Sequence, residues 1–237
     1  MAETMVACPD GSFGAYLATP KTLAAGKTAP GLLVIQEIFG VNKVMRDLCD
    51  GFAAQGYVAL CPDIFWRQEP GVQLTDKTEA EWKRGFEFYQ GFNEAKGVQD
   101  LIASLDHLRK QPACSGKAGS VGYCLGGKLA YLMATRSNAD CNVSYYGGGI
   151  ENLLNEASAI TKPLLMHIAG EDKYQPKEAQ EKIKAALGRN SGVTIHVYAG
   201  CDHAFARAAA RPGMPPPLSR PTTAPPSSSA SISPRSR

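Results

Sequence analysis

The chain has 237 residues, 44 % of them hydrophobic and 20 % charged, enough for one domain to bury its own core. No apolar run approaches the ~18–20 residues of a membrane span. The four arginines of residues 208–237, a stretch without acids, take the net charge of +3 down to −1 for residues 1–207, which argues against a basic nucleic-acid-binding face.

Seven cysteines, an odd number with no C-x-x-C pair, read as reduced thiols rather than a disulfide framework. Residues 1–5 have neither the basic start nor the apolar run of a signal peptide. A cytoplasmic protein is therefore expected, with neither membrane nor nucleic acid as partner. Nothing in the sequence sets the oligomeric state, and a monomer is the simplest expectation.

In chain order, residues 12–18 suit a strand, followed by a loop around Pro20 and Gly26. Residues 31–36 form a nearly continuous apolar run, the pattern of a strand covered on both faces. Residues 44–55 space Val44, Leu48, Phe52 and Ala53 on one helical face. Residues 57–61 suit a short buried strand stopped by Pro62, and residues 66–78 a loop. Two helical patterns fill residues 79–110, separated near Gly97. Strands are expected at 141–146, 163–169 and 193–198, with a short helix around 151–160 and another over 176–187 beginning on Pro176. Strand and helix signals that alternate around one site predict a single α/β domain.

The most informative stretch is Gly122-Tyr123-Cys124-Leu125-Gly126. The apolar run before it suits a strand, and residues 128–134 suit a helix. A sharp strand-to-helix turn between them places one residue in a strained conformation at the head of a cleft, and the flanking glycines relieve the crowding. Cysteine occupies the nucleophile's place. The helix N-terminus and a base would help to ionise it. A tight turn around a buried, inert cysteine is the alternative for this stretch taken alone.

Two later loops each follow an apolar strand-like run. Residues 163–169 lead into Gly170-Glu171-Asp172, and residues 193–198 lead into Ala199-Gly200-Cys201-Asp202-His203. Nucleophile, acid, histidine is the chain order of an α/β-hydrolase triad. Cys124, Asp172 and His203 are thus the candidate nucleophile, orienting acid and base. His107, His167 and His196 lie inside a helix or strands and read as structural.

On these motifs the chain resembles the dienelactone hydrolases, or carboxymethylenebutenolidases, over about residues 10 to 207. Gln36-Glu37-Ile38-Phe39-Gly40-Val41-Asn42 is similar to the family's first-loop signature, and Gly56-Tyr57-Val58-Ala59-Leu60-Cys61-Pro62-Asp63 to its next strand and turn. Gly122 to Gly127 resembles its cysteine elbow, Tyr145-Tyr146-Gly147 fits, and Asp202-His203-Ala204-Phe205-Ala206-Arg207 is similar to its histidine loop. The resemblance implies a single-domain α/β-hydrolase over residues 1–207, with a mostly parallel sheet flanked by helices and no large cap domain. It also implies that small esters or lactones of dienelactone type open through an acyl-enzyme, with neither cofactor nor metal.

The resemblance further implies that Glu37 helps to generate the thiolate. It assigns the oxyanion hole to the backbone N–H groups of Leu125 and Ile38. Arg207 fits one place where the family holds a substrate carboxylate. At the other, Trp82 stands where an arginine is expected, which leaves Arg84 as the nearby candidate. Tyr146, Phe39 and Trp66 are candidate pocket walls.

The rival readings are a nucleotide-binding glycine loop at 119–127, a redox-responsive protein without turnover, and a related hydrolase of aryl esters or thioesters. From Ala208 onward there are eight prolines, many serines and few large apolar residues. That composition predicts a disordered tail, or a reading frame lost after Arg207.

Overall fold

The computed structural model describes residues 2–206. The tail expected from residue 208, and Arg207 with it, lie outside the described residues. One eight-stranded sheet runs through the molecule in the order β1-β2-β4-β3-β5-β6-β7-β8. Its strands are β1 (Ala2–Cys8), β2 (Gly11–Ala18), β3 (Ala29–Ile35), β4 (Val58–Pro62), β5 (Cys114–Tyr123), β6 (Asn142–Tyr145), β7 (Leu164–Ala169) and β8 (Val193–Tyr198). The β1–β2 and β2–β4 pairs are antiparallel, and every other pair is parallel. The strand and helix signals predict the single α/β domain seen here, and the family resemblance implies its mostly parallel α/β-hydrolase sheet.

The helices are α1 (Lys43–Ala54), α2 (Glu79–Gln90), α3 (Glu94–Arg109), α4 (Leu125–Arg136) and α5 (Lys177–Leu187). Alternate side chains of the central strands point to opposite faces. Leu33, Ile35 and Leu60 join one core with Leu101, Leu105, Leu129, Leu132 and Ile183 from α3, α4 and α5. Leu32, Val34 and Ala59 point the other way and pack on Met45, Cys49 and Phe52 of α1. Each Leu, Ile, Val, Phe or Met side chain among these, when fully removed from water, contributes about 1.5–3 kcal/mol. Both faces of β3 and β4 are covered, which is why these strands read as unbroken apolar runs.

Several local readings are corrected. Residues 2–8 form β1, which pairs with β2 as a hairpin from Ala2↔Leu17 to Cys8↔Gly11. The buried face of α1 is Met45, Cys49, Phe52 and Ala53, with Val44 exposed. Gly97 lies inside α3 and is no helix break; the break falls at residues 91–93, where the Asn93 side chain accepts from the Lys96 N–H at 3.0 Å. The Phe92 ring lies over Gly97, so a Cβ there would have to displace it. Pro176 is the N-cap of α5 and not its first helical residue. Residues 150–159 form two short 3-10 turns rather than an α-helix.

Candidate active site

Strands β3, β5, β7 and β8 are parallel, so their carboxyl ends lie along one edge of the sheet, where open α/β sheets place their sites. Cys124 follows β5 directly, with φ 55° and ψ −115°. That conformation is costly for a residue with a Cβ and persists only where the surroundings enforce it. The enforcement comes from close packing of the elbow against neighbouring strands. A Cβ on Gly122 would strike the Gly126 carbonyl, one on Gly126 the Ile35 carbonyl, and one on Gly127 the Tyr145 carbonyl. The Cys124 N–H donates to Tyr145 O at 3.1 Å, and helix α4 starts at the next residue. The Leu125 N–H belongs to the first turn of α4, whose amides have no partner within the helix.

The first loop is held from both ends. Ile64 N donates to Gln36 Oε1 at 3.3 Å, and Gln36 Nε2 donates to the Glu37 carbonyl at 3.3 Å. Beyond it, Leu74 N donates to Phe39 O at 2.8 Å, and Asn42 Nδ2 donates to Leu74 O at 2.8 Å. Asn42 also caps α1, accepting from the Met45 N–H. Ile38 is thereby held at the cavity that Leu125 also lines. Glu37 is 3 % exposed. Its charge is felt at Tyr123, the residue before Cys124, whose phenol is pushed well up by burial first and then by Tyr145, Cys49 and Glu37.

The acid and histidine loops are stitched together by backbone bonds. Gly170 N donates to Tyr198 O and Glu171 N to Cys201 O, both at 2.8 Å. His203 Nδ1 lies 2.7 Å from Asp172 Oδ2, and Asp172 Oδ1 accepts from the Tyr174 N–H at 2.8 Å. Asp172 is 3 % exposed, so this carboxylate is committed to the imidazole and one backbone amide. Asp202 accepts from the backbone N–H of His203 and not from its ring. With Nδ1 turned to Asp172, Nε2 is the nitrogen left for the cavity.

Cys124, His203, Ile38, Phe39 and Leu125 line one cavity of about 540 Å³. Tyr146 stands behind it; the ring is buried and packs edge-on against His203 at 4.9 Å. Two expected substrate-binding residues, the wall candidate Trp66 and the carboxylate-holding candidate Arg84, are corrected. Trp66 stacks on Phe13 at 5.4 Å and lines a separate cavity of about 520 Å³ beside the β1–β2 hairpin. Its indole N–H needs a buried acceptor and finds Asp100 at 2.9 Å, a carboxylate also gripped by Arg67. Arg84 is the second correction. It pairs with Glu69 at 2.6 Å and Glu87 at 2.9 Å, and lies over the Phe88 ring, away from the cavity-facing side of α2.

Phe86, Tyr89 and Tyr174 fall outside every sequence motif, and Trp82 enters only as the residue that stands where an arginine is expected. All four line the cavity. Trp82, Phe86 and Tyr89 have spacings of four and three, a helical stripe that is legible once α2 is placed. Tyr174 sits in an irregular loop and carries no comparable signal. Among the described residues no helix is long and apolar enough to cross a membrane, and no group of three His, Cys, Asp or Glu could hold a metal ion.

Comparison with known proteins bears on the family and the fold. A protein of Azospirillum brasilense named "Putative carboxymethylenebutenolidase" is 56 % identical over 207 residues, covering 84 % of each chain. The carboxymethylenebutenolidase of Pseudomonas putida is 39 % identical over 196 residues, covering 83 % of this chain and 81 % of its own. Among solved structures, the "Putative Dienelactone Hydrolase from Klebsiella pneumoniae" superposes with a TM-score of 0.75 at 27 % identity, covering 87 % of this chain and 88 % of its own. The model of the dienelactone hydrolase family matches residues 13–220, past Arg207, where the sequence motifs end. This chain belongs to the dienelactone hydrolase family.

Proposed function

We propose that the protein is a cysteine hydrolase that opens small carboxylic esters and lactones, dienelactones among them, through an acyl-enzyme on Cys124. One observation carries the reading. A residue held at positive φ before a helix and an imidazole oriented by a buried carboxylate line the same cavity. His203 Nε2 takes the thiol proton as sulfur adds to the carbonyl carbon. The oxyanion is received by the N–H groups of Leu125 and Ile38, and such preorganised donors commonly supply the largest single stabilisation. Collapse breaks the C–O bond, and the departing oxygen takes the proton from the imidazolium. In a lactone this oxygen stays tethered to the acyl group. Water, activated by the same imidazole, then releases the acid and restores the thiol. Glu37 is assigned the role of favouring the thiolate form, and Phe39 that of a cavity wall. Arg207 remains assigned to a substrate carboxylate.

The test is turnover of a dienelactone and of p-nitrophenyl acetate by the intact chain and by Cys124→Ala and His203→Ala. Loss of both activities in both variants is expected, with an acetyl adduct on the Cys124 peptide of the unsubstituted protein. Undiminished hydrolysis by Cys124→Ala would overturn the mechanism.

A further inference from the structure

The cavity is walled by a chain of rings that the triad does not require. Phe39 meets Trp82 edge-to-face with centroids 5.0 Å apart at 88°, Trp82 meets Phe86 at 5.9 Å, and Phe86 meets Tyr174 at 6.4 Å. Tyr174 meets the His203 ring edge-to-face at 4.8 Å and 72°. The arc therefore runs unbroken from the first loop, along α2, to the imidazole, and every member lines the cavity that Cys124 opens into. Two members of the arc are tied by hydrogen bonds. Trp82 Nε1 donates to Asp76 O at 3.0 Å, and the Tyr174 amide is held by Asp172.

Such an arc presents ring faces and ring edges together. A saturated group entering it would bury apolar area and nothing more. An aromatic group would gain the same area plus the quadrupole attraction of offset and edge-to-face pairs.

We infer that Trp82, Phe86 and Tyr174 form an aryl-binding subsite beside the reactive sulfur, giving this chain an activity toward uncharged aryl-bearing esters as well as lactones. The inference rests on Cys124 being the nucleophile. The aryl group is held within the arc while its ester carbonyl reaches the sulfur and the N–H groups of Leu125 and Ile38. The chemical step is unchanged: the C–O bond breaks, the alcohol leaves with the proton from His203, and water releases the acid.

The test compares benzyl acetate with cyclohexylmethyl acetate, a pair matched in size and in the poor leaving ability of their alcohols. The unsubstituted chain is expected to favour the benzyl ester about tenfold in kcat/KM, mostly through KM, as two or three ring contacts allow. Trp82→Leu and Phe86→Leu should bring the ratio close to one, while Trp82→Phe keeps most of it. A ratio near one in the unsubstituted chain, or a ratio unchanged by the leucine variants, overturns the subsite. Should the leucine variants fail to fold, benzyl alcohol must inhibit p-nitrophenyl acetate turnover competitively, and more strongly than cyclohexylmethanol; equal inhibition also overturns it. Cys124→Ala separates the two readings. If that variant still turns over both esters the nucleophile is wrongly assigned, whereas an intact catalytic cysteine with no aryl preference removes the subsite alone.

Discussion

His203 Nδ1 lies 2.7 Å from Asp172 Oδ2, and the other oxygen of the same carboxylate holds the Tyr174 amide. The carboxylate therefore fixes both the tautomer of the ring and the start of the loop beside it. Asp172→Asn preserves shape and the Oδ1 bond but offers an amide to Nδ1, favouring the wrong tautomer. Its kcat is expected to fall about 10²–10⁴-fold with little change in unfolding midpoint. A loss below threefold would show that the acid does not orient the base.

The φ of 55° at Cys124 is a stored cost. Replacing Cys124 by alanine removes the thiol and leaves the strained backbone; glycine removes both. Cys124→Gly is expected to be about 1 kcal/mol more stable than Cys124→Ala, the strain relief outweighing the greater freedom of glycine in the unfolded chain. Urea titration of the two variants decides it. The opposite order would mean that the elbow is unstrained.

Gly126 sits where a Cβ would strike the carbonyl oxygen of Ile35, a backbone atom of β3 that cannot step aside. Gly126→Ala should lower stability by about 3 kcal/mol or prevent soluble expression. Gly14, with open space where its Cβ would go, serves as the control and should tolerate alanine. Equal midpoints for the two variants would contradict the close approach of the elbow to β3.

Glu37 is buried on the loop that carries Ile38. If it promotes the thiolate, Glu37→Gln should slow alkylation of Cys124 by iodoacetamide more than it lowers stability. Peptide mapping at several pH values measures this directly. An unchanged alkylation rate would return Glu37 to a structural role.

His167 is buried in β7, stacked on Tyr145 at 4.3 Å, with Nδ1 2.8 Å from the Tyr198 hydroxyl. Burial first, and the His196 ring second, push its pKa down from 6.5 to about 4. The folded value lies below the unfolded one, so the unfolded chain binds the proton more readily. Stability from keeping this ring neutral is complete above pH 6.5 and is lost as the pH falls from 6.5 toward 4, amounting to about 3 kcal/mol at the acid end. His167→Gln should lack that component, so its stability gap from the unsubstituted protein should narrow below pH 6.5. A constant gap across that range would rule the coupling out.

Much of the site was legible because its chemistry is local in sequence. The elbow glycines, the acid after one strand and the histidine after another follow from backbone requirements at strand ends, and their chain order survives any detail of packing. Arg84 and Trp66 were misplaced for the opposite reason. Arg84 shares a helix with Trp82 and Phe86, and only the packing of α2 shows that it turns toward Glu69 and Glu87. Trp66 follows β4 closely enough to reach a pocket, yet its N–H is taken by Asp100 on α3. Gly97 reads as a break because glycine ends many helices; the Phe92 ring that lies over it is invisible until the two helices are placed.

By itself the sequence determined the alternation of strands and helices from β2 to β8, the turn around Cys124 and the placing of Asp172 and His203 after two later strands, since each depends on residue type and near neighbours; it left β1 unread. Only the tertiary structure decided which side chains surround the sulfur. Phe39, Trp82, Phe86 and Tyr174 come from three separate segments, and their arc exists because α2 and the loop after β7 meet above the sheet edge. Contacts of that kind are set by how elements pack across long chain separations, a quantity that no local pattern encodes.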